Sequence, residues 1–204
     1  MATFSTRNIR VAASMIANHM EKAADDLNAA DGRLGDGDLG ITVSRGWREI
    51  TNAADKFPSD VGMSFLECAK CFQRVSPSSF GTLMASAFMS AAKQCKGHTV
   101  ISYADISLIL DGACAAMMSR GKGKLGDKSV LDVIHAMAVA TKGQQTPNDV
   151  LKACQKAVKE TLNEFENKQN RLGRARMFGE KSIGLNDPGM LAVQQMIKGL
   201  SGVD

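Results

Sequence analysis

The sequence predicts an all-α fold in a single domain, residues 1–204, with about eight helices joined by glycine-bearing loops. Three observations predict it. Aromatic residues are scarce, with one Trp and one Tyr, whereas strands favour β-branched and aromatic side chains. Ala and Met, both good helix formers, are plentiful. Apolar residues recur at three- and four-residue spacing along most of the chain, and no stretch reads as a convincing strand. A chain of 204 residues, 44% hydrophobic and 23% charged, has the size and composition of one globular domain with a full core.

The first helix is expected over about residues 5–29. Ser5 or Thr6 caps it, and Ile9, Ala12, Ile16, Met20, Ala23 and Leu27 share its apolar face. A glycine- and aspartate-rich loop follows. The second helix runs from about Ile41 to Lys56, stopping before Pro58. The third carries Met63, Leu66, Cys71 and Phe72 and ends near Val75-Ser76-Pro77. A small-residue helix, Leu83 to Cys95, comes after SPSSFGT; its alanines allow close approach of a neighbour. Ser102 or Asp105 opens the fifth helix, to about Arg120. Asp127 is the expected N-cap of the sixth, which carries Val130, Ile134 and Met137. Thr146-Pro147 is a cap followed by proline at the first helical position, starting a seventh helix to about Asn170. The eighth carries Met190, Val193 and Ile197. In an up-and-down bundle alternate loops share an end, so the loops at 30–40, 76–82, 121–128 and 173–189 are expected to gather.

Several function classes are disfavoured. No apolar run approaches the roughly 20 residues that cross a bilayer. The first residues, MATFSTRNIRVAASM, lack a signal-peptide core and cleavage site, so a cytoplasmic protein without membrane contact is expected. Five scattered cysteines read as reduced thiols rather than a disulfide frame. Cys68 and Cys71 form a C-x-x-C, but inside a helix and without a second pair, so packing is the expected role. His19, His98 and His135 are isolated, and no acyl-transfer triad is visible. Trp47 reads as packing. The net charge of +4 is too mild to imply nucleic acid, and the cluster Arg120, Lys122, Lys124 and Lys128 lacks interleaved aromatics.

The loops carry the chemistry. DGRLGDGDLG places Asp31, Asp36 and Asp38 within ten residues, on a segment too glycine-rich for a helix. Oxygen-only donors suit Mg²⁺ or Ca²⁺ and argue against zinc. An EF-hand is excluded, since the sixth position holds Asp36 rather than Gly and the twelfth Thr42 rather than Glu. Two readings stand here: a hard-cation site that relieves carboxylate repulsion, or helix caps. SPSSFGT offers hydroxyls and amides at a helix start, as anion sites and ordinary caps both do. GKGKLGDKS resembles a phosphate loop, but Asp127 interrupts the Walker pattern and no strand precedes it. The fourth loop brings Arg174, Arg176 and Lys181, then Asp187-Pro188-Gly189.

Together these loops resemble a known family. The chain is similar to the L subunit of bacterial dihydroxyacetone kinase, equivalent to the nucleotide-binding C-terminal domain of the single-chain kinases. LNAADGRLGDGDLGITVSRG matches the family's L-N-x-x-D-x-x-x-G-D-x-D-x-G. SSFGTLMASAF matches its serine-glycine helix start, and GKGKLGDKSVLD its G-D-K-S/T-x-L-D loop. GRARMFGEKSIGLNDPG matches its last motif, which ends in G-H-x-D-P-G. The four occur in order over nearly the whole length.

The resemblance implies an antiparallel eight-helix barrel with the nucleotide at one end. It implies two Mg²⁺ ions on Asp31, Asp36 and Asp38, bridging the phosphates of ADP or ATP. By position, Leu39, Gly40, Ile41, Thr42, Ser79, Phe80, Gly81, Gly121, Val130, Arg174, Asp187, Pro188 and Gly189 would line the nucleotide site. The implied activity is phosphoryl transfer to dihydroxyacetone, or a related ketose such as erythrulose, held covalently on a separate K subunit. The phosphoryl donor is free ATP or a phosphocarrier M subunit that recharges a retained ADP. A dimer or hetero-oligomer is the expected assembly. Two positions depart from the pattern: Leu39 and Leu185 stand where the family has His. They motivate an alternative, a non-catalytic regulatory or interaction protein that retains the fold.

Overall fold

The computed structural model describes residues 1–75 and 78–201 of the chain. Eight α-helices account for most of them: α1 (Thr6–Leu34), α2 (Leu39–Ala53), α3 (Val61–Val75), α4 (Ser79–Cys95), α5 (Ile106–Gly121), α6 (Val130–Ala140), α7 (Pro147–Phe165) and α8 (Pro188–Ser201). Each helix packs on the next in sequence, and α8 returns to α1, so the eight form a closed ring. The expected eight-helix arrangement is what the structure has.

Two larger apolar clusters fill the ring, beside a smaller third around Phe4, Val61 and Ile101. One joins Met20, Leu27, Val43, Ile50 and Phe72; the other joins Met117, Leu131, Val133, Val158 and Met190. Trp47 is buried, edge-on to Phe72 and Phe88. All five cysteines are buried and unpaired. Burial pushes the Cys68 thiol far above its usual range, so the C-x-x-C is packing, as expected. No described helix is long and apolar enough to cross a membrane.

Several boundaries differ from the sequence expectation, each for a local reason. Helix α1 continues to Leu34, so Asp31 and Gly32 lie in its last turns rather than in a loop. Glycine costs a helix about 1 kcal/mol, and burial of Leu34, 1% exposed, offsets it. Helix α4 starts at Ser79, four residues early, because Ser78 caps it: its Oγ accepts the Gly81 N–H at 2.9 Å. The Ser76-Pro77 end of the third helix, and with it the start of the second loop, lies outside the described residues.

Asp127 is not the cap of α6. Ser129 is: its Oγ accepts the Leu131 N–H, and Asp132 reciprocates by accepting the Ser129 N–H at 2.8 Å. Asp127 accepts the Lys124 N–H instead. Helix α7 stops at Phe165, not near Asn170, because the carbonyls of Glu166 and Lys168 turn aside to the Lys128 ammonium. Two strands were not expected, β1 (Thr3–Ser5) and β2 (Val100–Ser102). They pair antiparallel and tie the first residues to the α4–α5 connection. Three residues are too few to show a period of two.

Candidate functional site

The ring topology decides where the loops go. Connections after α1, α3, α5 and α7 fall at one end, and those after the other helices fall at the opposite end. A cavity of about 290 Å³ opens at the first end and takes walls from all four connections, as the alternate-loop argument requires.

One wall is the aspartate loop. Asp31 projects from the end of α1, and its Oδ2 accepts the N–H groups of Gly37, Asp38 and Leu39 at 2.9, 3.1 and 3.3 Å. The loop thus folds around that carboxylate, turning through Gly37 at φ +77°. Asp38 occupies the N-cap position of α2, but its side chain makes no capping bond. Asp36 faces the Arg174 guanidinium. Each of the three aspartates can place one oxygen within 4.8 Å of the other two. Pure helix capping therefore does not account for Asp36 and Asp38. Carboxylates this close repel, and a hard divalent cation is what relieves such a set; the donors fit Mg²⁺.

Helix starts line the cavity all round. Leu39, Ser79, Val130 and Pro188 are the first residues of α2, α4, α6 and α8, and all four line the cavity. In an up-and-down ring every even-numbered helix begins at the same end. Four helix N-termini, each with the positive end of a helix dipole, therefore converge where an anion would sit, with one amide of each already held by Asp31, Ser78, Ser129 or Asp187. Phe80, Leu83, Val130, Leu172 and Pro188 add apolar surface.

Of the expected nucleotide residues, Leu39, Thr42, Ser79, Phe80, Val130, Arg174, Asp187, Pro188 and Gly189 line this cavity. Four do not, and each has another place. Gly40 is buried where α2 crosses α1; a Cβ there would fall 1.9 Å from the Ala24 carbonyl oxygen. Ile41 is exposed, its N–H on Asn28 Oδ1. Gly81 is buried behind the Ser78 cap. Gly121 ends α5, and a Cβ there would meet Leu83 Cδ2. Sequence reasoning missed Ser78, Ser129 and Leu172, which also line the cavity. A serine directly before an apolar helix start was the available signal for the first two. Leu172 contributes by position alone, which no motif announces.

Lys128 belongs to no surface cluster. It is 0% exposed, and its Nζ donates to the carbonyls of Glu166, Lys168 and Ser182. Nearby, Asp187 accepts from Asn170 Nδ2 at 2.8 Å and from the Met190 N–H at 3.1 Å.

The DAK2 domain family matches residues 33–202. The chain belongs to the DAK2 domain family. Among relatives of this DAK2 domain, the ADP-binding subunit DhaL of the PEP-dependent dihydroxyacetone kinase 2 of Listeria innocua is 29% identical over 83% of this chain and 82% of its own. The ADP-binding subunit DhaL of the PTS-dependent dihydroxyacetone kinase of Lactococcus lactis is 30% identical over 80% of this chain and 79% of its own. The crystal structure of the C. freundii dihydroxyacetone kinase in complex with AMP-PNP and Mg²⁺ shares the fold, with a TM-score of 0.76 at 20% identity. It matches 98% of this chain, which spans about a third of that one (34%). The resemblance seen in the sequence to a DhaL-type kinase subunit is thereby borne out. Within this DAK2 domain Leu39 is 6% exposed, an apolar wall of the cavity where the family pattern has an imidazole.

Proposed function

We propose that this DAK2 domain is the nucleotide-holding, phosphoryl-donating subunit of a kinase for dihydroxyacetone or a related ketose. ADP or ATP binds with Mg²⁺ at the cavity, and transfer goes to a hydroxyketone carried on a separate K subunit. One observation carries the reading: three convergent carboxylates share one cavity with four helix N-termini. That is a cation site beside an anion site, the pair that a magnesium-bound polyphosphate needs.

The remaining residues fit the same role. The amides of Ser79 and Val130 are placed to orient phosphate oxygens, while that of Gly189 holds the Asp187 carboxyl. Arg174, half-exposed at the rim, adds a planar donor for a charged oxygen. Phe80, Val130 and Leu172 offer an apolar slot for a base. When bound, the metal neutralises charge between the terminal phosphates. Among the described residues no His or Cys lines the cavity, so nothing in it would hold a ketose covalently. A separate carrier chain supplies that function in this reading. ADP retained through purification would indicate a phosphocarrier as donor rather than free ATP.

The test is calorimetric titration of ADP and ATP into the intact chain, with Mg²⁺ and with EDTA, alongside Asp36→Ala. Binding is expected to need Mg²⁺ and to be lost in Asp36→Ala, while helical circular dichroism stays intact. Unchanged affinity in the variant overturns the reading. Tight binding without kinase activity on adding a K subunit would favour the regulatory alternative raised by Leu39 and Leu185.

A further inference from the structure

Residues 166–184 leave α7, pass over the site end and return toward α8, forming a strap. Its base is cinched by the Gly184 N–H on the Glu166 carbonyl at 2.9 Å. Its span supplies Leu172, Gly173, Arg174 and Ala175 to the cavity wall. Lys128 reaches into the strap from the α5–α6 connection. Its three ammonium protons match three main-chain carbonyls, Glu166 and Lys168 on the outgoing limb and Ser182 on the returning one, at 2.9, 2.7 and 2.9 Å.

The main chain around Lys128 grips the same strap. Asn170 Nδ2 donates to the Lys128 carbonyl, and the Arg171 N–H donates to that of Asp127, each at 2.8 Å. The returning limb is tied by the Asn170 N–H on Ser182 Oγ at 2.9 Å. Lys128 itself sits at φ +58°, a left-handed conformation that glycine adopts far more easily. An L-residue persists there when the surroundings over-determine it. The side chain, not the turn, explains why lysine occupies the position.

We propose that Lys128 is a positioning residue, whose buried ammonium joins the two limbs of the 166–184 strap and so holds it as the outer wall of the nucleotide cavity. The inference rests on the proposed nucleotide site for its binding arm only; the strap arm stands without it. Arg174 is the functional group that this placement serves, since it rides on the strap and meets Asp36 across the cavity mouth.

The strap reports on itself, because beyond Lys168, whose carbonyl Lys128 holds, it carries the tryptic sites Arg171, Arg174, Arg176 and Lys181. Lys128→Met keeps the apolar stem and removes the charge. It is expected to raise tryptic cleavage at these four sites by about tenfold or more, the worth of one charge-assisted hydrogen bond. Magnesium-dependent ADP affinity, measured well below the unfolding temperature, should fall by a similar factor. In Lys128→Ala, ammonium chloride should restore slow cleavage and ADP binding where sodium chloride does not. A lysine that only adds global stability would lower the melting temperature, spread cleavage along the chain and show no ammonium response; that result overturns the proposal.

If neither Lys128 variant folds, Ser182→Ala tests only the hydroxyl tie to Asn170. That variant leaves the three carbonyls on Lys128 Nζ, so the deciding readout is taken on the wild type: ¹⁵N NMR should show one slowly exchanging lysine ammonium that is lost once trypsin clips the strap, and the absence of any protected ammonium overturns the proposal. A wild-type chain that binds no nucleotide would sink the nucleotide reading, while the cleavage and ammonium results would still judge Lys128.

Discussion

Burial pushes the Asp187 carboxyl up to about 7, against the opposing pull of the Met190 and Gly189 amides and of the Lys128 charge. An unfolded aspartate titrates near 3.9. Between these values the folded chain holds a proton that the unfolded chain has released. The stability contributed by Asp187 is therefore fully present below about pH 4 and is lost as pH rises through about 7. Denaturant unfolding of wild type and Asp187→Asn at pH 5, 6, 7 and 8 checks this. The wild type should lose stability relative to the variant by at most about 1.4 kcal/mol per pH unit up to pH 7. Parallel profiles would show that the carboxyl is ionised throughout. At this scale the sequence announced the three carboxylates, because their spacing is local. It did not announce that Lys128 is internal, since a lysine between Asp127 and Ser129 looks the same whether it faces water or three carbonyls.

Helices α1 and α2 meet without side chains between them at Gly40. A Cβ at that point would lie 1.9 Å from backbone, which cannot swing away as a side-chain tip does. Gly40→Ala should cost about 1–3 kcal/mol by overpacking, read as a lower denaturation midpoint. It should also weaken magnesium-dependent nucleotide binding, because the same turn of α2 carries Leu39 and Thr42 into the cavity. A stability loss with full affinity would separate the helix contact from the site. Element existence was legible because 3.6-residue periodicity survives in any window of two or three turns. Element ends were less so. Asp127 and Ser129 are equally good caps by composition, and only the reach of Asp132 back to Ser129 selects the serine.

The closed ring turns four weak loop signals into one site. A ligand that bridges loops from four connections binds the folded chain and not the unfolded one, so it raises stability by mass action. At about 100 times its dissociation constant the gain is about 2.7 kcal/mol, or roughly 5–11 °C of melting temperature for a chain of this size. Thermal melts with MgADP, with ADP plus EDTA, and with Mg²⁺ alone check this. The full shift is expected only with MgADP. An equal shift with Mg²⁺ alone would mean that the aspartates bind metal without a nucleotide above them.

The sequence by itself determined that the chain is helical, how many helices it has and which loops carry chemistry. Each of these rests on patterns within one to three turns of chain. The four quoted motifs also carry the family resemblance. Tertiary structure alone decided the rest. It placed the first turns of α2, α4, α6 and α8 at one end, because that follows from closing the ring rather than from any helix. It turned Asp36 toward Arg174, set Gly40 and Gly81 behind the cavity instead of in it, and buried Lys128 in a cage of carbonyls. Those outcomes depend on groups tens of residues apart meeting within hydrogen-bonding distance, and no local pattern in the chain encodes such a meeting.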